Sequence, residues 1–424
     1  MKSRIAAAIV MCLCGLIIIH CAISYQEEIV EMERQSAKDV AQINKTIDIW
    51  YSYKGYEDYL KSAIEAYNQK NNSDIVVNLS YISDIDYFNT INSSSIEGKG
   101  PDLYIMGSEY MEKAYLLGIS EANKNPSMFN DDNYAGTAID VMTYGDNIYG
   151  YPLGFDVSAL FCNDDYVKNA PATFEDIKAF ADSFNGDEED AGTNAIDSDV
   201  DYSKVQGILM WDVNSLLYNY GFVGDNIHIG ASGGKAIVDI NNEKVLGSAK
   251  EYLLLKDYFS LTGEDTYSNI VNDFAAGKIV FMLADSKAIS TLSNSDISYS
   301  IWDMPNLTEE YTCSPLSYTD ILMINPYTDS RQMAVSFAEF ISNEYAGDMY
   351  EISGILSTKK DIEYEDKHLN KLIDVYENSL TMPKLMDTED YWLTMQNSLK
   401  AIWNGANIEE TFNKLQTEYI ENIN

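Results

Sequence analysis

The run Asn272-Asp-Phe-Ala-Ala-Gly-Lys-Ile-Val-Phe-Met-Leu-Ala-Asp-Ser286 constrains this chain more than any other stretch. A helix is expected to stop at Gly277, since glycine tolerates the left-handed backbone that ends a helix. The chain then enters an apolar strand, Ile279 to Leu283, too continuous to have a solvated face. It leaves that strand at Asp285-Ser286, residue types that cap the next helix. A strand tip that meets a helix N-terminus is where open α/β sheets hold ligands.

The same alternation runs through the chain. Thr46–Tyr51 reads as a strand and Tyr56–Lys70 as a helix. Asp74–Leu79 is strand again, Tyr87–Ile96 helix, Leu103–Met106 strand and Glu109–Leu117 helix. Such alternation predicts an α/β fold with a mostly parallel sheet. Tyr144–Pro152 reads as a hairpin turning at Gly145-Asp146-Asn147. Thr173-Phe-Glu-Asp176 resembles a capping box that opens a helix to Phe184. Further strands are expected at Ala159–Asn163, Lys204–Trp211, Lys235–Ile240, Tyr299–Trp302 and Ile321–Ile324, and nearly all of the chain beyond Lys371 reads as helix. With 424 residues, one core is improbable and two domains of roughly 150–200 residues each are expected.

The charge balance excludes some functions. With 67 acidic and 28 basic side chains, the net charge is −39. Nucleic acid and anionic membrane surfaces both require basic patches, so neither is an expected partner. Beyond the N-terminal segment and its linker the only arginine is Arg331. Arginine is the usual bidentate clamp for carboxylate and phosphate, so its scarcity argues for a neutral or cationic ligand.

The first 23 residues address the protein. Lys2 and Arg4 precede an apolar run from Ile5 to Ile23, which is either a signal peptide or a membrane anchor. A lipid on Cys21 is one alternative, an uncleaved anchor another and simple secretion the third. Residues 24–45 are polar and read as a spacer. Of five cysteines only Cys162 and Cys313 belong to the folded body, as two buried thiols or one bridge. They are too few for a disulfide scaffold or a zinc site.

Other motifs carry little. Gly230-Ala-Ser-Gly-Gly234 fits G-x-S-x-G, but its flanks are strand-like on both sides, where a nucleophile needs a strand-to-helix turn. A hairpin loop is expected instead. Asp197-x-Asp199-x-Asp201 lacks the glycine and the closing glutamate of a calcium loop and reads as a solvated acidic loop. No catalytic set, metal site or cofactor motif emerges, and no enzyme is expected. The 32 tyrosines and 5 tryptophans point elsewhere. Flat aromatic rings pack on the C–H face of a sugar, while polar side chains take its hydroxyl rim.

Several stretches together resemble the family 1 extracellular solute-binding proteins, the maltose-binding-protein-like receptors of sugar importers. They are Ile49-Trp50 followed by Lys54-Gly55-Tyr56, then Gly100-Pro-Asp102, then Tyr151-Pro152 through Asn163-Asp164. The pattern Phe274-x-x-Gly-Lys-x-x-x-Met282 and the segment from Met382-Pro383 to Trp392 follow in the family's order. The resemblance implies a two-lobed periplasmic-binding-protein fold of type II with the ligand cleft between lobes. Lobe 1 would hold residues 46–155 and 317–358, and lobe 2 residues 156–316 and 359–424. Tyr53, Lys54, Glu109, Asp156, Trp211, Tyr267 and Trp392 match the family's ligand positions. Lys287 stands where the family often has tryptophan, and Gln396 replaces a basic residue. With Met106 and Tyr110 these departures argue against maltose itself. The implied function is a receptor for a neutral oligosaccharide, tethered to the outer face of the membrane and serving the permease subunits of an ABC importer. A polyamine or other cationic solute is the alternative, as is a sensing receptor without transport.

Overall fold

The computed structural model describes residues 46–83, 87–185, 200–232, 235–383 and 388–423. The N-terminal segment with Cys21, residues 24–45, most of the acidic stretch 186–201 and Gly233-Gly234 lie outside them.

Two sheets organise the molecule. The larger has six strands, in the order Leu356–Ser357, Tyr151–Val157, Ser317–Ile324, Leu103–Gly107, Thr46–Tyr51 and Val76–Tyr81. The smaller has four, in the order Tyr299–Trp302, Ala159–Asn163, Ile279–Ala284 and Gly207–Met210. Neither sheet is mostly parallel. Thr46–Tyr51 runs parallel to both its neighbours, and Ile279–Ala284 to Gly207–Met210, but every other pairing in the two sheets is antiparallel. The antiparallel strands belong to chain segments that pass between the sheets, so their direction is set by connectivity that alternation alone does not record.

Local sequence explains the elements. Thr46–Tyr51 buries Ile47, Ile49 and Tyr51 at period two. The helix Tyr56–Asn71 buries Tyr56, Tyr59, Leu60, Ala63 and Tyr67 at helical spacing and stops at Asn72, whose φ is 46°. All six residues of Ile279–Ala284 are buried, as befits a strand covered on both faces. The preceding helix, Tyr267–Ala275, ends just before Gly277 at φ 74°, and the Tyr166 hydroxyl donates to the Gly277 carbonyl at 2.7 Å. The Thr173 box forms: Asp176 N–H donates to Thr173 Oγ1 at 3.2 Å, and the Asp176 carboxylate accepts from Thr173 N–H at 2.9 Å. His228–Ser232 and Lys235–Asp239 pair antiparallel, so the described part of the G-x-S-x-G stretch, Gly230–Ser232, lies in a strand and not at a strand-to-helix turn.

Each sheet carries its own apolar core. A third cluster covers the other face of the small sheet and reaches the large one, where Phe155 stacks on Tyr376 of the helix Lys367–Glu377 at 4.0 Å. Only Ser158 separates the large-sheet strand Tyr151–Val157 from the small-sheet strand Ala159–Asn163. The chain therefore passes from one sheet to the other within a single residue. Cys162 and Cys313 are both free and buried, which settles their alternatives in favour of two thiols.

Candidate ligand cleft

A cleft of about 170 Å³ opens where the two sheets meet. Strand periodicity builds its floor. In Ser317–Ile324, Tyr318 and Asp320 share one face, while Ser317, Thr319 and Ile321 turn into the core. Tyr318 lies directly across from Asp156 of the neighbouring strand. Both residues line the cleft, together with Tyr53, Lys287 and the Gly354-Ile355 turn.

The opening run supplies the charged wall. Asp285 follows the strand Ile279–Ala284 and accepts the Lys287 backbone N–H at 3.0 Å, capping the short helix Lys287–Leu292. Ser286, also expected to cap, makes no such bond. The Lys287 ammonium donates to Asp156 Oδ2 and lies 3.3 Å from Asp285 Oδ2. Tyr218 donates to Asp285 Oδ2 at 3.1 Å and Tyr267 to Oδ1.

Electrostatics follow from this packing. Burial and then the Asp285 charge push the Asp156 carboxyl up, to about 7, against the pull of Lys287. Burial works against the Lys287 charge too, but the two carboxylates outweigh it and hold the ammonium above the ordinary lysine value. Burial, then the Glu109 and Asp156 charges, raise the Tyr318 hydroxyl well above its ordinary value.

The sequence-derived residues divide. Tyr53, Asp156 and Lys287 line one cleft. Trp392, on the helix Thr388–Trp403, packs on Tyr318 with ring centroids 4.5 Å apart, at the cleft's side. Glu109 is the middle residue of the turn Ser108–Tyr110, which packs against the Trp392 helix. Lys54 is exposed, with its ammonium 4.9 Å over the Tyr81 ring, and is not among the lining residues.

Two assignments change. Trp211 is core: only 1% of its surface is exposed, its ring meets Phe222 and Trp403, and its Nε1–H donates to Asn219 Oδ1 at 2.9 Å. The strand Gly207–Met210 ends just before it, and the chain then turns inward rather than toward the cleft. Tyr267 spends its hydroxyl on Asp285, and its ring lies parallel to Tyr218 at 6.0 Å. It reaches the cleft through Asp285 and Lys287 instead of lining it.

Sequence reasoning missed Tyr318, Asp320, Phe155, Ser286 and Ile355. The signal for the first two was present. The alternation Ser317-Tyr-Thr-Asp-Ile begins the strand four residues before the expected Ile321 and puts Tyr318 and Asp320 on one face.

The comparisons with known proteins agree with this architecture. The sequence profile described as bacterial extracellular solute-binding protein matches residues 62–375. The chain belongs to that family. The family is one of solute receptors, which places this protein's work outside the cell. Maltodextrin-binding protein MdxE of Bacillus subtilis is 20% identical over 366 residues, 82% of either chain. An extracellular solute-binding protein from Staphylococcus aureus, solved in complex with maltose, superposes with a TM-score of 0.71 at 20% identity, covering 89% of this chain and 98% of that one. A cyclo/maltodextrin-binding protein complexed with maltotetraose gives a TM-score of 0.71 at 15% identity, over 89% and 97% of the two chains. The Thermus thermophilus maltotriose binding protein gives 0.68 at 16%, over 89% and 100%. These neighbours share the two-lobed type II periplasmic-binding fold. Among the described residues no helix is long and apolar enough to cross a membrane.

Proposed function

We propose that this receptor binds a neutral oligosaccharide in the cleft and delivers it to the permease subunits of an ABC importer. The observation that carries the reading is the pairing of Lys287 with Asp156 beside the rings of Tyr53 and Tyr318, with Trp392 packed on Tyr318. Rings offer an apolar face to a sugar, and a charge-compensated pair offers a donor and an acceptor to its hydroxyls. The named relatives bind maltose, maltotriose, maltotetraose or maltodextrin, which supports a glycan over other solutes. No reaction is assigned to the cleft.

Residues 46–155 with 317–358 act as one lobe, and residues 156–316 with 359–424 as the other. Ligand draws them together about the crossover at Ser158, as in other hinged receptors. The N-terminal apolar segment tethers the receptor, through a lipid on Cys21 or as an uncleaved anchor. A cationic solute such as a polyamine is the rival, favoured by the net charge of −39, but the Lys287 ammonium already stands in the cleft.

Thermal denaturation of the full chain against neutral oligosaccharides, monosaccharides, polyamines and peptides tests the reading. A ligand at 100 times its Kd stabilises by about 2.7 kcal/mol. A rise in Tm with one class of neutral glycan is expected. A rise with polyamines alone overturns the sugar assignment and keeps the fold.

A further inference from the structure

The carboxylate of Asp285 sits 3% exposed behind the cleft, and its acceptor capacity is spent. Its oxygens take hydrogen bonds from Tyr267, Tyr218 at 3.1 Å, the Lys287 backbone N–H at 3.0 Å and the Lys287 ammonium at 3.3 Å. A carboxylate has about four such sites, so Asp285 has nothing left for a ligand. Asp156 differs. Its Oδ1 accepts from Val157 N–H at 3.1 Å and from Ser286 Oγ at 3.4 Å, and its Oδ2 accepts from Lys287. The Asp285 carboxyl also meets Asp156 from behind, but 16% of the Asp156 side chain stays open, and that part lines the cleft as an acceptor. The Lys287 ammonium has three N–H groups and uses two on carboxylates, which leaves one donor beside that acceptor.

We propose that Asp285, held by the hydroxyls of Tyr218 and Tyr267, is a positioning residue that fixes Lys287 and Asp156 as a donor–acceptor pair for two adjacent hydroxyls of a neutral sugar ring. This rests on the oligosaccharide reading above and names the part of the ligand that the site recognises. One hydroxyl accepts from Lys287 and its neighbour donates to Asp156. A neutral diol suits the site on charge as well. An anionic sugar would meet two carboxylates, and a cationic one would meet the Lys287 ammonium.

Binding then needs Asp156 ionised. The groups that face it are Lys287 and Asp285 from the turn after the small-sheet strand Ile279–Ala284, Tyr218 and Tyr267 behind Asp285, and Tyr318 on the neighbouring large-sheet strand with Glu109 beyond it. Of these, Asp285 is the charge that opposes ionisation of Asp156 most strongly. Replacing it by asparagine keeps the shape and removes that charge.

The test is calorimetric titration of the full chain with maltotriose, cellotriose and xylotriose from pH 5.5 to 8.5, for the wild type, Asp285→Asn and Tyr267→Phe. Wild-type affinity is expected to rise with pH through about 7, where Asp156 loses its proton. In Asp285→Asn that rise moves to lower pH, and affinity above pH 8 falls about tenfold because Lys287 loses one of its two anchors. Tyr267→Phe keeps the ring and weakens binding severalfold. An Asp285→Asn profile that is lower at every pH but unmoved makes Asp285 merely structural and overturns the inference. Should Asp285→Asn fail to fold, Tyr267→Phe decides, and an unchanged Kd overturns it. If the wild type binds none of these glycans, the oligosaccharide reading fails first and this one with it.

Discussion

Trp211→Ala separates core from cleft. The Trp211 ring packs between Phe222, at a centroid distance of 5.5 Å, and Trp403, at 5.9 Å, and it is 1% exposed. Truncation leaves a cavity that these rings cannot fill without moving, and such losses cost about 3–5 kcal/mol. The lost hydrogen bond adds little. Asn219 Oδ1 keeps a second donor in the Tyr252 hydroxyl at 3.1 Å, so no buried acceptor is orphaned. Each kcal/mol shifts Tm by about 2–4 °C in a domain of this size, so a fall of roughly 6–20 °C is expected. The assay is a thermal melt followed by circular dichroism, with titration of the cognate glycan well below the new Tm. Affinity within about twofold of wild type is expected, because the side chain has no face on the cleft. Loss of binding with an unchanged melt would refute the reasoning and return Trp211 to the ligand.

Trp392→Ala should behave in the opposite way. Its ring is half-buried on Tyr318 at the cleft's side, so titration should show a loss of about 2 kcal/mol, roughly 30-fold in Kd, with a small change in Tm. Asp156 makes stability depend on pH. Its folded-state pKa, about 7, lies above its ordinary value of 3.8, so its contribution is present below that ordinary value and is lost as pH rises to about 7. Urea midpoints between pH 4 and 7.5 should therefore fall more steeply in the wild type than in Asp156→Asn, and parallel curves would contradict the burial of this carboxyl. Burial pushes the Cys162 and Cys313 thiols up. Mass mapping should find both unmodified by iodoacetamide in the native protein and modified in urea, and rapid native labelling of either would place it at the surface.

Much of the fold was legible because local rules and tertiary structure agree. The Thr173 box, the Gly277 stop and the apolar strand after it are each decided by a few adjacent residues. Strand direction was not legible. The chain passes from one sheet to the other at Ser158, and nothing in the alternation of Ala159–Asn163 states whether its neighbours run with it or against it. The site was read in part. Asp156 was named from its place in an ordered set of landmarks and Lys287 as a departure from them, and the structure joins the two in one ion pair. Trp211 was placed at the cleft because an aromatic residue just past a strand reads the same whether the chain then turns to the core or to the cleft, and Tyr267, which opens a helix, because its hydroxyl's partner Asp285 is distant in sequence. Asp285 was read only as a helix cap. Its larger part, gathering Tyr218, Tyr267 and Lys287, depends on residues far apart in sequence that only the folded chain brings together.

The central claim is that a neutral glycan occupies the cleft at the junction of the two sheets. Calorimetric titration of the full chain with malto-oligosaccharides and spermidine, at low and at high salt, tests it most directly. Charged pairs at a partly exposed site are screened by salt, whereas ring stacking and neutral hydrogen bonds are not. Saturable binding of a neutral oligosaccharide with a Kd that salt leaves unchanged is the expected result. Binding of spermidine alone, weakening steeply with salt, would contradict it.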